Sequence, residues 1–571
     1  MAIKVLDKKV ISQIAAGEIV ERPAAVVKEL LENSLDAGAN QISVEVSGGG
    51  VSLIRVTDNG GGIPAQEIAL AFERHATSKI DDIGDLESIV SLGFRGEALP
   101  SIAAAAQVEI VTQVTGETGG SYLRLRDGAV VEQKSQGRSQ GTTVTASDLF
   151  CNMPARLKFL KSTATENSHI ANVVSQYALA YPEDKFNLSV DGRATLRTSG
   201  SGGLIDSVIA VYGLEVARNM VPIGSGEREW ESGVAASSLS VNGVVGSPAV
   251  SRANRGYLSF FVNRRWISSR LLAWAVEEAY HGLLMVGKHP IAVINISLPS
   301  REVDVNIHPT KTEIKFQNER IVFSAVQKAV RQSLIELTPV PDIGEAVTIY
   351  STPSQSKQTS WPLPVWDSRA IGLPADSQAS APSLPALRVL GQLLNSYIIA
   401  EGPDGLYLID QHAAHERILF EKIQRQSLQQ AIEVQRLLEP ATLEVNPQQE
   451  EVLKCRYEGL VEVGFSIEPF GDRTYLVRTV PALLQGKDWV GMVRELLDSL
   501  SGSDNEDWVE KAAISMACHG AVRAGQQLAD GEMRELVRQL EQASLPHTCP
   551  HGRPTIIHLN SSQLRKEFGR S

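Results

Sequence analysis

The chain has 571 residues, and its 43% hydrophobic and 21% charged residues are typical of globular proteins. A length of this size suggests about four domains. The net charge of −12 excludes a protein that coats nucleic acid through general positive charge, although it is compatible with a local basic patch.

The first predicted elements are a helix and a β-hairpin. The segment AAVVKELLENSLDAG, residues 24–38, has apolar residues at helical spacing, and Gly38 stands where a helix typically ends. The segment QISVEVSGGGVSLIRVTDNG, residues 41–60, alternates polar and apolar residues on both sides of a glycine-rich turn, which predicts two paired strands.

Later elements alternate in type. After the flexible stretch SGSGG at 199–203, which predicts a domain boundary, GLIDSVIAVYG at 203–213 predicts a helix. YLSFFVNRRWI at 257–267 and PIAVINISL at 290–298 predict strands. Helices interleaved with strands indicate α/β layers in both parts.

The first predicted helix carries two side chains suited to phosphate chemistry. Glu29 and Asn33 are four residues apart and therefore lie on one face of the helix. An amide oxygen suits a hydrated Mg²⁺ ion, and a carboxylate suits activation of an attacking water. An acidic helix face exposed to solvent is the alternative for this cluster alone.

Glycine-rich segments follow that helix. In DNGGGI, residues 58–63, the Asp58 carboxylate suits the exocyclic amine of adenine, and Gly60 and Gly62 permit close approach of the backbone to a ligand. A tight turn is the alternative. Further along the chain, GTTV at 141–144 has another glycine, at the start of a predicted strand.

Two segments that lie between DNGGGI and GTTV combine a cation with further glycines. RHATSKI at 74–80 contains Lys79, a plausible partner for phosphate, and GFRGEAL at 93–99 contains Gly93 and Gly96, whose backbone N–H groups suit phosphate oxygens. No GxxxxGK[ST] motif is present, which excludes the familiar P-loop.

The segments EIVERPAAVVKELLENSLDAG, DNGGGI, RHATSKI, GFRGEAL and GTTV, in this order, resemble the GHKL ATPase family of gyrase-type topoisomerases, heat-shock chaperones, histidine kinases and MutL mismatch-repair proteins. RPAAVVKELLENSLDAGA, with LFCNMPARLKFLKS at 149–162, is most similar to the MutL members. The resemblance implies an ATPase sandwich at residues 1–203 and a transducer domain like ribosomal protein S5 at 204–335.

The resemblance also implies roles within an ATP site. Glu29 would be the general base and Asn33 the Mg²⁺ ligand, and Lys311 of NIHPTKTEIKF would reach the terminal phosphate from the second domain. The remaining residues implied to bind the nucleotide are Asp58, Gly60, Gly62, Lys79, Gly93, Gly96 and Thr143.

A flexible linker and a second chemical centre are predicted beyond residue 335. Residues 336–388 are rich in Pro and Ser and lack helical or strand periodicity. LLNSYIIAEGPDGLYLIDQHAAHERILFEKI then predicts two strands around GPDG followed by a helix, with Asp410 at the strand end and His412 and Glu416 on one helix face. Ion pairing is the alternative to metal binding for these two side chains.

Further metal-binding residue types lie near the end of the chain. HTCPHGRPT contains Cys549 and His551, and the helix-like SMACHGAVRAGQ contains Cys518. Thiolates favour Zn²⁺, whereas carboxylates and water favour Mn²⁺ or Mg²⁺. Two metals about 3.5–4 Å apart would suit hydrolysis of a phosphodiester.

The C-terminal segments resemble the MutL proteins that carry a DNA-nicking activity. DQHAAHERILFE matches their DQHA-x2-E-x4-E signature as far as Glu421, and CPHGRP at 549–554 and FGR at 568–570 match two further segments. The resemblance implies a dimerisation and endonuclease domain at 389–571, with Asp410, His412, Glu416, Cys518, Cys549 and His551 holding Zn²⁺, Mn²⁺ or both. His519 departs from the family, which usually has a basic residue there.

Two contact surfaces are predicted as well. QRLLEP, residues 435–440, resembles the peptide by which bacterial proteins dock on the sliding clamp, through Gln435, Leu438 and Pro440; a strand edge that runs into a turn is the alternative. Arg265 and Arg270 belong to a cluster of arginines suited to DNA phosphates, with a solvated strand edge as the alternative.

The sequence therefore predicts an α/β multidomain enzyme: a homodimeric, ATP-dependent mismatch-repair protein that links mismatch recognition by MutS to strand incision. An ATP-driven matchmaker without its own nuclease is the alternative. No run of about 18 apolar residues predicts a membrane span, and the four scattered cysteines favour a reducing cytoplasm, with association to the nucleoid expected.

Overall fold

A computed structural model describes residues 19–79, 91–93, 96–117, 119–224, 239–281, 283–284, 288–304, 314–337, 384–428, 432–500, 508–523 and 525–567. Lys311, the FGR segment and most of the predicted linker lie outside these residues. Two compact units are present, one drawn from residues 1–334 and 422–520 and the other from 335–421 and 521–571. Among the described helices, none combines the length and apolar character that crossing a membrane requires.

The largest layer of the first unit is an eight-stranded sheet. Its spatial order is β5-β4-β3-β6-β2-β1-β7-β8, and its pairs are antiparallel except for the parallel pair β1 and β7. The strands are β1 (Gln41–Ser47), β2 (Leu53–Asp58), β3 (Gln107–Gln113), β4 (Gly120–Arg126), β5 (Ala129–Gln136), β6 (Gly141–Ser147), β7 (Lys185–Val190) and β8 (Arg193–Arg197).

Helices cover this sheet and contribute to one apolar core. They are α1 (Pro23–Asp36), α2 (Ala98–Ala105), the short α3 (Pro154–Leu157) and α4 (Thr163–Ala180). Helix α1 starts with a proline, whose ring favours the first helical position, and buries Val27 and Leu31 completely. Burial of each such side chain stabilises the fold by about 1.5–3 kcal/mol.

The predicted first helix and hairpin are confirmed. Helix α1 ends before Gly38, whose φ of 71° is the left-handed conformation that favours glycine. Strands β1 and β2 pair antiparallel across the Gly48–Gly50 turn, from Ser47 opposite Leu53 to Ile42 opposite Asp58.

A second layer follows in the chain, with a five-stranded sheet in the order β13-β12-β15-β10-β9. The predicted strand 257–267 is wrong as one element, because it turns back on itself at Asn263 and Arg264, both with positive φ. The elements are α5 (Leu204–Tyr212), α6 (Leu214–Arg218), β9 (Met220–Ile223), β10 (Ser240–Gly246), β11 (Ser251–Arg252), β12 (Leu258–Val262), β13 (Arg265–Ile267), α7 (Arg270–Ala279), β14 (His289–Pro290), β15 (Ala292–Ser297), β16 (Val303–Asp304), β17 (Lys315–Phe316) and α8 (Glu319–Leu337).

The second unit is built around a four-stranded antiparallel sheet in the order β18-β19-β20-β24. The hairpin around GPDG and the helix after it are confirmed. The elements are β18 (Arg388–Leu393), β19 (Tyr397–Gly402), β20 (Gly405–Asp410), α9 (Gln411–Leu428), then, after the segment 432–520, α13 (Asp530–Glu541), β24 (Ile556–Asn560) and α14 (Ser561–Glu567).

The residues after α9, 432–520, belong to the first unit together with the end of α9 from residue 422. They form a three-stranded sheet in the order β21-β23-β22 with three helices. The elements are β21 (Val434–Glu444), α10 (Pro447–Glu462), β22 (Ser466–Gly471), β23 (Thr474–Pro481), α11 (Trp489–Leu500) and α12 (Trp508–Gly520).

Candidate functional site

A cavity of about 560 Å³ opens beside α1 in the first unit. It collects most of the residues predicted to bind the nucleotide, although they are distributed over more than sixty positions of the chain. The predicted residues in its lining are Glu29, Asn33, Gly62, Lys79, Gly93 and Gly96. The cavity is therefore a site where a carboxylate, an amide, a cation and glycine backbone groups meet.

Lys79 is held at the mouth of this cavity by α1. Its ammonium donates to Asn33 Oδ1 at 3.0 Å and to Asp36 Oδ2 at 2.6 Å. Asp36 also accepts hydrogen bonds from the backbone N–H groups of Leu92 and Gly93, at 2.8 and 3.0 Å. A phosphate that entered the cavity would meet a lysine and a glycine segment already positioned together.

Asp36 is a residue of this site that the sequence reasoning did not assign. It lies three positions after Asn33, on the same side of α1, and the spacing was a signal available in the sequence. Because its carboxylate joins Lys79 to the backbone at Leu92 and Gly93, Asp36 organises the phosphate end of the cavity.

Glu29 is mostly buried, with its side chain 15% exposed, next to a network of charged groups. The Lys28 ammonium lies 3.8 Å from Glu29 and 2.9 Å from Glu32, and the Tyr177 hydroxyl donates to Glu32 at 2.6 Å. Burial lowers the pKa of Lys28, but the two carboxylates outweigh burial and leave that pKa above its usual value. The lysine therefore stays charged beside Glu29.

Asp58 lies behind the cavity, at the end of β2, and is not among its lining residues. Its carboxylate accepts hydrogen bonds from the Ser34 hydroxyl at 3.0 Å and from the N–H groups of Gly60 and Thr142 at 2.9 and 3.1 Å. Burial raises the pKa of Asp58 above its usual value. Thr143 is engaged with the Thr57 hydroxyl at 3.1 Å.

The second unit holds a separate cluster of metal-ligand side chains. Glu416, buried on α9, directs Oε1 at His412 Nε2 at 3.3 Å and Oε2 at His551 Nδ1 at 3.4 Å. Glu416, Cys549 and His551 each offer one ligand atom, all within 4.8 Å of one another. A buried carboxylate, a thiol and imidazoles form a donor set that fits Zn²⁺.

The orientation of His412 adds to this fit. Its Nδ1 donates to the Val522 carbonyl oxygen at 2.8 Å, which turns Nε2 towards Glu416. With the hydrogen on Nδ1, the Nε2 lone pair faces a carboxylate, an arrangement that a cation between them stabilises. The bond to Val522 therefore leaves Nε2 as the ring nitrogen directed at Glu416 and placed to ligate a metal.

Asp410 and Glu421 accept backbone hydrogen bonds within the second unit. Asp410 Oδ1 accepts the N–H groups of His412 and Ala413, both at 3.0 Å, and thereby caps α9. Glu421 accepts the N–H groups of Ser544 and Leu545 at 2.8 and 3.1 Å. Cys518 and His519 lie on α12, which belongs to the first unit.

The predicted clamp peptide is unusually exposed. Strand β21 pairs with β23 up to Arg436 and again from Ala441, so the register breaks across residues 437–440. Leu438 is fully exposed within this break, and Pro440 is exposed as well. An apolar side chain in this position is available to a partner.

The two predicted DNA-contacting arginines differ in exposure. Arg265 is only 7% exposed and donates to the Ser91 carbonyl oxygen at 2.8 Å, so it offers little surface to a phosphate. Arg270, at the start of α7, is exposed. The neighbouring Arg255 is paired with Glu277.

Comparisons with known proteins agree along the whole chain. Residues 21–150 match the family model for the "Histidine kinase-, DNA gyrase B-, and HSP90-like ATPase". Residues 208–335 match "DNA mismatch repair protein, C-terminal domain", and residues 390–528 match "MutL C terminal dimerisation domain".

Similar proteins of comparable length are also known. The DNA mismatch repair protein MutL of Desulforudis audaxviator is 42% identical over 573 residues, covering 100% of this chain and 99% of the relative. The MutL of Halothermothrix orenii is 37% identical over 651 residues, with 100% and 99% coverage. A crystal structure of the N-terminal domain of a DNA repair protein is 25% identical with a TM-score of 0.50, covering 57% of this chain and 98% of that one.

Proposed function

The chain belongs to the MutL family of DNA mismatch-repair proteins, and from this premise we propose that it couples ATP hydrolysis to incision of DNA. The family membership carries a GHKL-type ATPase domain and a C-terminal dimerisation domain. The proposal adds the chemistry of two sites and the partners that connect them.

In the proposed ATP site, Glu29 accepts a proton from the attacking water and the Asn33 amide oxygen holds Mg²⁺. Lys79 and the N–H groups of Gly93 and Gly96 bind the phosphates, and the role of reaching the terminal phosphate is assigned to Lys311, which lies outside the described residues. In this assignment the Asp58 carboxylate accepts a hydrogen bond from the adenine amine, and Gly60, Gly62 and Thr143 contact the nucleotide. The observation that supports this assignment best is the cavity that contains Glu29, Asn33 and Lys79 together.

In the proposed nuclease site, Asp410, His412, Glu416, Cys518, Cys549 and His551 hold Zn²⁺, Mn²⁺ or both. When bound, such metals activate water and stabilise the leaving oxygen of a phosphodiester. Glu416 directs one carboxylate oxygen at each of two imidazoles, and the bond from His412 Nδ1 to Val522 orients Nε2 towards Glu416.

The proposed partners follow from the same assignment. Two copies pair through the dimerisation domain, and ATP binding closes the N-terminal domains of the dimer. MutS brings the protein to mismatched DNA, and the exposed Leu438 with Gln435 and Pro440 docks on the sliding clamp. Arg270 contributes a phosphate contact in preference to the buried Arg265.

The decisive experiment measures nicking of supercoiled plasmid with Mn²⁺. We expect Asp410→Asn to abolish nicking while ATP hydrolysis continues at the wild-type rate, because the substitution removes a metal-binding charge from the second unit only. Glu29→Gln should do the reverse, losing about 100-fold or more in ATP hydrolysis while basal nicking persists.

Asp404→Asn, in the turn between β19 and β20, is the matched control and should retain both activities. Nicking by a contaminant-free Asp410→Asn preparation would contradict the nuclease assignment. Absence of nicking in every preparation, with the clamp added, would favour a matchmaker in which the metal-binding residues serve the structure of the second unit.

A further inference from the structure

Residues 432–500, which we call the docked segment, make a buried polar contact with the second layer of the first unit. The Tyr257 hydroxyl donates to Asp498 Oδ1 at 2.6 Å and accepts from Asn446 and Gln449 at 3.0 and 3.1 Å. Gln449 also donates to Asp498 at 2.8 Å. Tyr257, Asn446 and Gln449 are buried and Asp498 is partly buried, so the two parts of the chain share one hydrogen-bonding network.

The contact extends over both layers of the first unit. Helix α10 of the docked segment packs along α4, where Asn167 donates to Glu451 at 3.3 Å. On the second layer, Arg494 donates to Glu215 at 2.8 Å, and Glu495 forms an ion pair with Lys288. The docked segment therefore contacts both the layer that carries the cavity beside α1 and the layer that follows it in the chain.

The character of this contact suits reversible docking. The apolar core of the first unit runs from the eight-stranded layer into the second layer, yet among the described residues it takes no side chain from the docked segment. A cavity of about 410 Å³ lies within the contact, lined by polar side chains that include Gln176, Tyr212 and Gln448. Polar and incompletely packed contacts between domains are typical of associations that form and separate.

The same contact reaches the helix that carries Glu29. Helix α4 lies between the docked segment and α1, and its Tyr177 hydroxyl donates to Glu32 of α1. Asn167 binds the docked segment from the same helix. The contacts between the docked segment and α4 therefore also oppose a movement of α1 during a catalytic cycle.

We propose that the docked segment is an intramolecular clasp, whose binding across α4 and Tyr257 restrains the ATPase and whose release accelerates its turnover. Conformational steps limit the rate of many enzymes, and a brace on the moving helix raises that barrier. The effect on turnover rests on the ATPase function proposed above, whereas the docking itself does not.

The test uses the full-length dimer and the substitution Tyr257→Phe. This change preserves ring packing but deletes the hydroxyl that joins Asp498, Asn446 and Gln449. We expect amide hydrogen exchange in residues 163–180 and 447–462 to accelerate about 10-fold or more. ATP turnover should rise about 5-fold or more, the lower range for coupled sites.

Tyr280→Phe is the matched control, because Tyr280 is a buried tyrosine of the second layer whose hydroxyl donates to the Gly246 carbonyl oxygen within that same layer. Asp498→Ala perturbs the same network from the other side and should reproduce the effect of Tyr257→Phe.

Unchanged exchange in both test variants would overturn the docking. Faster exchange with unchanged or slower turnover would overturn the restraint while leaving the contact in place. If the ATPase assignment itself were wrong, hydrolysis would be insensitive to Glu29→Gln, and the exchange result would still report on docking alone.

Discussion

Individual glycines set the shape of the cavity beside α1. Gly62 lines the cavity with φ of 77°, and a Cβ at this position would lie 2.2 Å from the Gln113 carbonyl oxygen. Backbone atoms of a central strand do not move aside as a flexible side chain does. The cavity wall therefore depends on the absence of a side chain at Gly62.

We predict that Gly62→Ala weakens nucleotide binding at least 10-fold and lowers the melting temperature, because β3 and the glycine-rich turn must separate. Gly38→Ala is the control: its φ is 71°, but no atom lies within 4 Å of the added Cβ. It should cost only the left-handed strain of about 1–2 kcal/mol and leave nucleotide binding intact. Equal effects of the two substitutions, measured by calorimetry and nucleotide titration, would contradict this account.

The sequence predicted several of the side chains that come together at the cavity beside α1. The types and spacing of Glu29, Asn33 and Lys79 predicted a phosphate-binding set, and the cavity places them together. Asp36 was given no role in the site, because it binds Lys79 and two backbone N–H groups, a function that residue type alone does not indicate. No feature of the sequence indicated that Arg265 is buried, because arginine is usually exposed.

At the scale of elements, the sheet of the second unit has two different faces. Ile398, Ala400, Tyr407 and Ile409 are buried against the helices of that unit. On the opposite face, cross-strand partners are also apolar, with Leu408 opposite Ile557 and Leu406 opposite Leu559. The face is half exposed, with Ile557 at 55%. An apolar sheet face of this kind in a dimerisation domain suits a second copy of the chain.

We predict that Ile557→Lys shifts the protein from dimer to monomer by weakening association more than about 100-fold, because the ammonium loses its hydration in the interface. Sedimentation equilibrium over a concentration series measures the constant. Val461→Lys is the control, an equally exposed apolar residue on α10. A dimer that tolerates Ile557→Lys would place the interface on another surface.

Local sequence signals predicted elements well where turns have distinctive residues. The glycines between β1 and β2 and the GPDG turn between β19 and β20 were both recognised. The turn at Asn263 and Arg264 was not, because Arg rarely adopts positive φ and the flanking apolar residues continue without interruption. There the tertiary pairing of β12 with β13 overrides the local pattern.

At the scale of the whole molecule, the placement of residues 432–500 had no local signal. These residues follow the predicted linker in the chain, and their contacts with α4 and Tyr257 join positions more than 180 residues apart. The contact is polar, so it leaves no apolar stripe that sequence periodicity would detect. Only the fold reveals that Asn446, Gln449 and Asp498 share one partner.

This polar contact carries a charge whose state depends on pH. Burial raises the pKa of Asp498 to about 6, against an ordinary value of 3.8, despite hydrogen bonds from Tyr257 and Gln449 and the charge of Arg252. Glu495, the other carboxylate that faces it, raises the pKa further. The docked state therefore retains a proton that the released state gives up. The contribution of this proton to the free energy of docking is full below pH 3.8 and is lost as pH rises through about 6.

We predict that docking weakens as pH rises through about 6, by an amount on the order of 3 kcal/mol over the full titration. Asp498→Asn should remove this dependence, because an amide keeps the shape of the carboxyl without a charge to desolvate. The exposed Cys151, which follows β6, and the exposed Cys455, on α10 of the docked segment, accept a donor and an acceptor dye. Energy transfer within one labelled chain, diluted with unlabelled protein, should fall with pH in the wild type and stay level in Asp498→Asn; parallel curves for the two proteins would assign the pH response to other groups.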